Sequence, residues 1–177
     1  QPIYRVLALG WRGTSRQWQH HAALYGFFAA LATPLVISVH SVVSWDFAMA
    51  ILPGWHSTIF APYFVAGAIF SGIAMVITLL LPMRRVFKLE SYITVHHFEN
   101  LAKLMLTTSL IVGYAYLTEF FVAWYSGNIF EQGTFYDRMF GQYWGYSWMM
   151  FTCNVILPLL LFIKAFRTNL KALFVLS

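Results

Sequence analysis

Four apolar stretches, each long enough to cross a bilayer, constrain this 177-residue chain more than any other feature. A helix needs about 20 predominantly apolar residues to span the hydrocarbon core. The stretches cover residues 22–43, 63–81, 101–124 and 146–166. In lipid every backbone N–H and C=O must find a partner within the segment, so runs of this length fold as helices. Short connections place consecutive helices antiparallel. The expectation is an all-α integral membrane fold, an up-down four-helix transmembrane bundle over residues 1–171. Residues 172–177 are apolar again and read as the start of a truncated fifth helix. With no initiator Met at residue 1, the chain reads as a piece of a larger membrane protein.

Composition excludes several function classes. Hydrophobic residues make up 60% of the chain and charged residues 10%, against about 25% charged in a soluble domain. A single cysteine, Cys153, cannot build a disulfide scaffold, a cysteine-based zinc site, an iron–sulfur cluster or a covalent c-type haem attachment. Haem b would need two imidazoles at one depth on facing helices. His40 is the in-span histidine near one end, whereas His96 and His97 sit about 30 Å away across the core, which leaves His56, in a connection, as the histidine that could pair with it and keeps haem b as a minority reading. No GxGxxG or GxxxxGK[ST] motif occurs. The net charge of +5 points to topology, not to nucleic acid.

The basic residues are distributed on one side. Arg5, Arg12 and Arg16 precede the first span. Arg84, Arg85, Lys88 and Lys103 lie around the second connection, and Lys164, Arg167 and Lys171 follow the fourth span. Arg138 is the exception. The positive-inside rule predicts a multi-pass protein of a bacterial inner membrane with the Gln1 end cytoplasmic and the 44–62 and 125–145 loops outside.

Two features bear on packing. Gly67/Ser71 and Ala68/Gly72 are small-xxx-small pairs that would let a neighbouring helix approach closely in lipid. Pro34 and Pro158 each free the carbonyl four residues back, at Ala30 and Asn154, which then needs a hydroxyl, a neighbour or a water. The 44–62 segment is unusually apolar for a loop. Trp45, Phe47, Trp55 and Phe60 would sit at headgroup depth, with a turn at Pro53-Gly54.

Ionisable groups in or beside a span are costly, which makes them candidates for function. His40, Asp46, His56 and Glu119 all fall near the outer end, and Tyr116 precedes Glu119 by three residues. An imidazole and desolvated carboxylates at one depth suit proton transfer. Each also has a structural reading as a buried, hydrogen-bonded side chain. His40 and Asp46 are six residues apart, about 120° around a regular helix, so they converge only if the helix ends or bends between them. At the inner end, His96, His97, Glu99 and Lys103 read mainly as helix-surface groups, Glu99 and Lys103 as an i, i+4 pair. His97 and Glu99 are the minority candidates for proton entry.

The strings LALGWRGT (7–14), SVHSVVSWDFAM (38–49), PGWHSTIFAPYFVAGAIFSG (53–72) and YAYLTEFFVAWYSGN (114–128) resemble the NrfD/polysulfide-reductase membrane-subunit family. Within it they are most similar to the ActC-like subunits of bacterial alternative complex III, and next to their ActF-like paralogues. Such subunits have about ten helices in two four-helix bundles, and this chain resembles the second bundle. The resemblance implies a quinol-oxidising respiratory subunit that binds a quinol such as menaquinol and carries no metal. It would pass electrons to iron–sulfur and haem c partners on the outer side, with proton release or translocation. It implies a hetero-oligomeric respiratory complex as partner, alongside membrane lipid. Asp46 is expected as the proton acceptor and quinol contact, and His40 as a hydrogen-bond partner of the quinol. Trp45 and His56 are added as quinol contacts, and Glu119, Tyr116, His97 and Glu99 as a proton path. A non-catalytic membrane anchor and a proton-conducting subunit are the alternatives. The apolar 44–62 loop, around Trp55 and Ile59, is the expected dock for a redox partner.

Overall fold

The computed structural model describes residues 2–54 and 56–177. The expectations for Trp55 and for the Gln1 end fall outside them. The chain is all-α, with no strand among the described residues. Among the described residues, four helices are long and apolar enough to cross a membrane: α2 (Ser15–Ala48), α3 (Phe60–Val86), α4 (Val95–Ser126) and a composite fourth span, Trp144–Phe162. Two compact units divide at His40 and Ser41.

The first unit contains α1 (Pro2–Leu7) and α2 up to His40. Its organising device is a capping box. The Thr14 hydroxyl accepts the Gln17 N–H at 3.3 Å, while the Gln17 side chain accepts the Thr14 N–H at 3.3 Å. Two orphan donors at the start of α2 are thereby satisfied. Gln17 also donates to the Gly10 carbonyl at 3.1 Å and accepts from Arg12 at 2.9 Å. The positive-φ turn at Gly10 is thus tied to the helix. Trp11, Trp18 and His21 meet edge to face beside it.

In the second unit, α3 and α4 form the central pair, with the fourth span and the C-terminal segments packed against them. Ile77, Phe98, Ala102, Met105, Leu161 and Leu173 are buried in one cluster. Close approach occurs at Gly113, where an added Cβ would lie 3.2 Å from Val155 Cγ1. The small pairs expected to serve this purpose do not: Gly67 and Gly72 face open space. Gly67 and Ser71 line a cavity of about 510 Å³ between α3 and its neighbours.

The fourth span is irregular. α6 (Trp144–Phe151) passes into a π-helical segment, Thr152–Ile156, then α7 (Leu157–Leu159) and a 3₁₀ turn, Leu160–Phe162. Pro158 is the cause that the sequence supplies, since it cannot donate to the ladder. The Asn154 carbonyl is taken up by the buried Ser109 hydroxyl at 2.7 Å. At Ile163 the backbone turns extended, and Arg167 donates to the Leu161 and Phe162 carbonyls at 3.1 and 3.2 Å. Two short helices follow, α8 (Lys164–Thr168) and α9 (Leu170–Leu176), the latter capped by the Asn169 side chain.

The 125–145 segment corrects the expectation of a plain loop. It contains α5 (Ile129–Phe140), whose N-cap Asn128 accepts from the Phe130 N–H. Glu131 in its first turn and Arg138 in its last both suit the helix dipole. Ring contact between Phe120 and Phe135, at 4.8 Å, holds α5 against α4. Gln132 adds a hydrogen bond to the Trp124 carbonyl at 3.3 Å.

Candidate functional site

The connection from α2 to α3 turns at Pro53-Gly54, where Gly54 has φ +82°. That left-handed turn brings His56 back on Leu52: its Nδ1–H donates to the Leu52 carbonyl at 3.0 Å. The same ring reaches α5, where Nε2 meets Glu131 Oε1 at 2.9 Å. Both nitrogens face oxygen acceptors, an arrangement that an imidazolium satisfies in full. The Leu52 carbonyl first, and then the Glu131 carboxylate, raise the His56 pKa above its ordinary 6.5.

His56 and Glu131 line a vestibule of about 270 Å³ with Thr118, Glu119 and Phe135. Gly54 and Glu119 also line a second cavity, of about 390 Å³. This one is aromatic, walled by Phe60, Tyr63, Tyr116 and Tyr143, with Arg138 on one side. The Tyr63 and Tyr116 hydroxyls are 2.9 Å apart, joining α3 to α4. Arg138 lies close enough to Gly54 that a Cβ there would come within 3.2 Å of its Nη2. Its guanidinium also sits 5.8 Å from the Phe135 ring centroid. Glu119 therefore borders two chambers, one acidic and histidine-bearing, the other aromatic with a single cation.

Of the sequence-derived candidates, His56, Glu119 and Tyr116 come together here. Asp46 and Trp45 lie exposed in the last turns of α2 and line neither chamber. α2 continues through Ala48, so it does not end between His40 and Asp46. His40 belongs to the first unit, where its Nδ1–H donates to the Val36 carbonyl at 2.8 Å. At the start of α4, His97 caps the helix. Its Nδ1 accepts the Thr94 backbone N–H at 3.2 Å. Glu99 is paired with Lys103 at 3.1 Å. Among the described residues, no three His, Cys, Asp or Glu side chains converge as a metal-ligand set.

Glu131 enters the site without having been singled out as a proton group. Asn128 with Glu131 three residues later is a helix-start signal. That signal would have placed the carboxylate in a first turn, though not its histidine partner.

Architecture and site define a multi-span helical membrane protein with a cluster of ionisable and aromatic side chains where α3, α4 and α5 meet the connection before α3. No curated protein sequence matches the chain. The polysulphide reductase, NrfD, family matches residues 4–177, nearly the whole length, and the chain belongs to that family.

Proposed function

We propose that this chain is the quinol-binding membrane subunit of a respiratory quinol:acceptor oxidoreductase of the alternative complex III type. Family membership supports a membrane subunit of a quinone-linked oxidoreductase working in a multisubunit complex. The observation that carries the proposal further is Glu119, which borders both the aromatic chamber and the His56–Glu131 vestibule. Oxidation of a quinol to a quinone releases two electrons and two protons. The electrons pass to iron–sulfur clusters and haem c of partner subunits on the outer side. The protons fall to side chains of this chain. The aromatic chamber suits a flat ring, with Tyr63 and Tyr116 offering hydroxyls and Arg138 a positive charge. The Glu119 carboxylate takes a proton from a quinol hydroxyl, and Glu131 and His56 receive it on the water side.

Asp46 is the second proposed acceptor, at the α2 end of the same connection, with Trp45 as a ring contact, and His40 is proposed separately as a hydrogen-bond partner of the quinol. The chain sits in the bacterial inner membrane, the start of α2 cytoplasmic and α5 outside, as the distribution of basic residues supports.

The test is turnover of the assembled complex. General-base removal typically costs 10²–10⁴ in rate. Glu119→Gln is therefore expected to slow quinol oxidation about a hundredfold with subunit content unchanged. Asp46→Asn is expected to slow it as well. Normal turnover in both variants, in complexes of full composition, would leave the chain a membrane anchor.

A further inference from the structure

At the basic end of the bundle, far along α3 from the outer connection, a cavity of about 280 Å³ opens between α3 and α9. Leu81, Pro82, Leu170, Phe174 and Val175 form apolar walls, and Arg85 and Lys171 stand at its edge. These two cations come from different helices and share one hollow. Three other cations at this end are committed elsewhere. Arg84 donates to the Ile93 carbonyl at 2.6 Å, Lys103 pairs with Glu99, and Arg167 donates to the end of the fourth span. Arg85 and Lys171 are exposed, and neither forms an ion pair with a described residue. No carboxylate lines the hollow.

An occupant must therefore be apolar along one part and anionic at one end. It must also lie at the depth where a span meets the headgroups. We infer that this hollow is a binding site for one anionic phospholipid. The phosphate bridges Arg85 and Lys171, and an acyl chain lies along Leu81, Leu170 and Phe174. Basic hollows between transmembrane helices select anionic headgroups through just this pairing of point charges with apolar walls. The site is separate from the outer chambers, and neither depends on the other.

The protein in its native assembly would be placed in phosphatidylcholine nanodiscs with spin-labelled phosphatidylglycerol or spin-labelled phosphatidylcholine. The immobilised fraction is then read by electron paramagnetic resonance. The labelled anionic lipid is expected to be immobilised preferentially, and the preference to fall with added salt. Each cation near a lipid phosphate contributes about fivefold in affinity. Arg85→Gln and Lys171→Gln should each lower the preference by that factor, and Arg85→Lys should restore most of it. Lys88→Gln, at the same end but outside the hollow, should leave it unchanged. Equal immobilisation of the two lipids by the unaltered protein would overturn the site. So would a Lys88→Gln effect as large as that of Arg85→Gln, which would mean only a diffuse surface potential. Full displacement of the lipid by inorganic phosphate would also overturn it, showing that the apolar walls contribute nothing.

Discussion

His56 illustrates how one side chain can be held by two acceptors of different kinds. The Leu52 carbonyl is fixed by the turn at Gly54, whereas the Glu131 carboxylate arrives on α5. Because the folded-state pKa is raised, the stabilisation from this contact is complete below the unfolded value near 6.5. It is lost as pH rises through the higher folded value. The attachment of α5 to the connection should loosen over that interval, seen as faster amide exchange in 129–140 at the alkaline end. Glu131→Gln should lower the His56 pKa, measured by NMR titration of the ring, but not to the free value, since the leading cause is Leu52. A pKa unmoved by the substitution would remove Glu131 from the pair. Very little of this was legible beforehand. His56 stood out because a histidine in an apolar connection is costly, but its partner lies 75 residues away, and no local pattern reports such a pairing.

Among the elements, the fourth span is where local chemistry and packing are most tightly linked. Pro158 is visible in the sequence, and so is the consequence that the Asn154 carbonyl must find another donor. The donor itself, Ser109, is set by how α4 meets the span. That is a tertiary outcome with no signal in the residues of the span. Ser109→Ala removes the hydroxyl and leaves a carbonyl without its donor at membrane depth. An unsatisfied buried polar group costs about 1–3 kcal/mol, so a drop in the unfolding midpoint of the detergent-solubilised protein is expected. Ser109→Thr, which keeps a hydroxyl, should lose less. Identical midpoints for Ala and the unaltered chain would mean that the bond contributes nothing. α5 carries the opposite lesson. Asn128, Glu131 and Arg138 announce a helix through cap and dipole, but its position between two spans encouraged reading the whole segment as a loop.

For the whole molecule, the apolar runs were enough to establish four helices of membrane-spanning length, because lipid leaves the backbone no other way to satisfy itself. Where the cavities fall depends on side-chain sizes at helix contacts, and the runs are silent on that. The small pairs of α3, which face open space while Gly113 makes the close approach, show how composition alone misplaces a contact. The topology is open to direct measurement. Single cysteines placed between 128 and 138, in a chain with Cys153→Ser, should react with an impermeant maleimide added outside intact cells. Labelling that requires access from the cytoplasm would invert every assignment of inner and outer groups made above.

The wall that Gly54 and Glu119 share has a bearing on how genetics of this region can be read. A substitution at either position alters both chambers at once, so its phenotype cannot be apportioned between them. Thr118 and Phe135 belong to the vestibule and not to the aromatic chamber, while Tyr143, Ser147 and Met150 belong to the aromatic chamber and not to the vestibule. Separable alleles should be sought in those two private sets. A double variant drawn from one set and the other should combine additively unless Glu119 links them, which makes non-additivity itself the measure of communication through the partition.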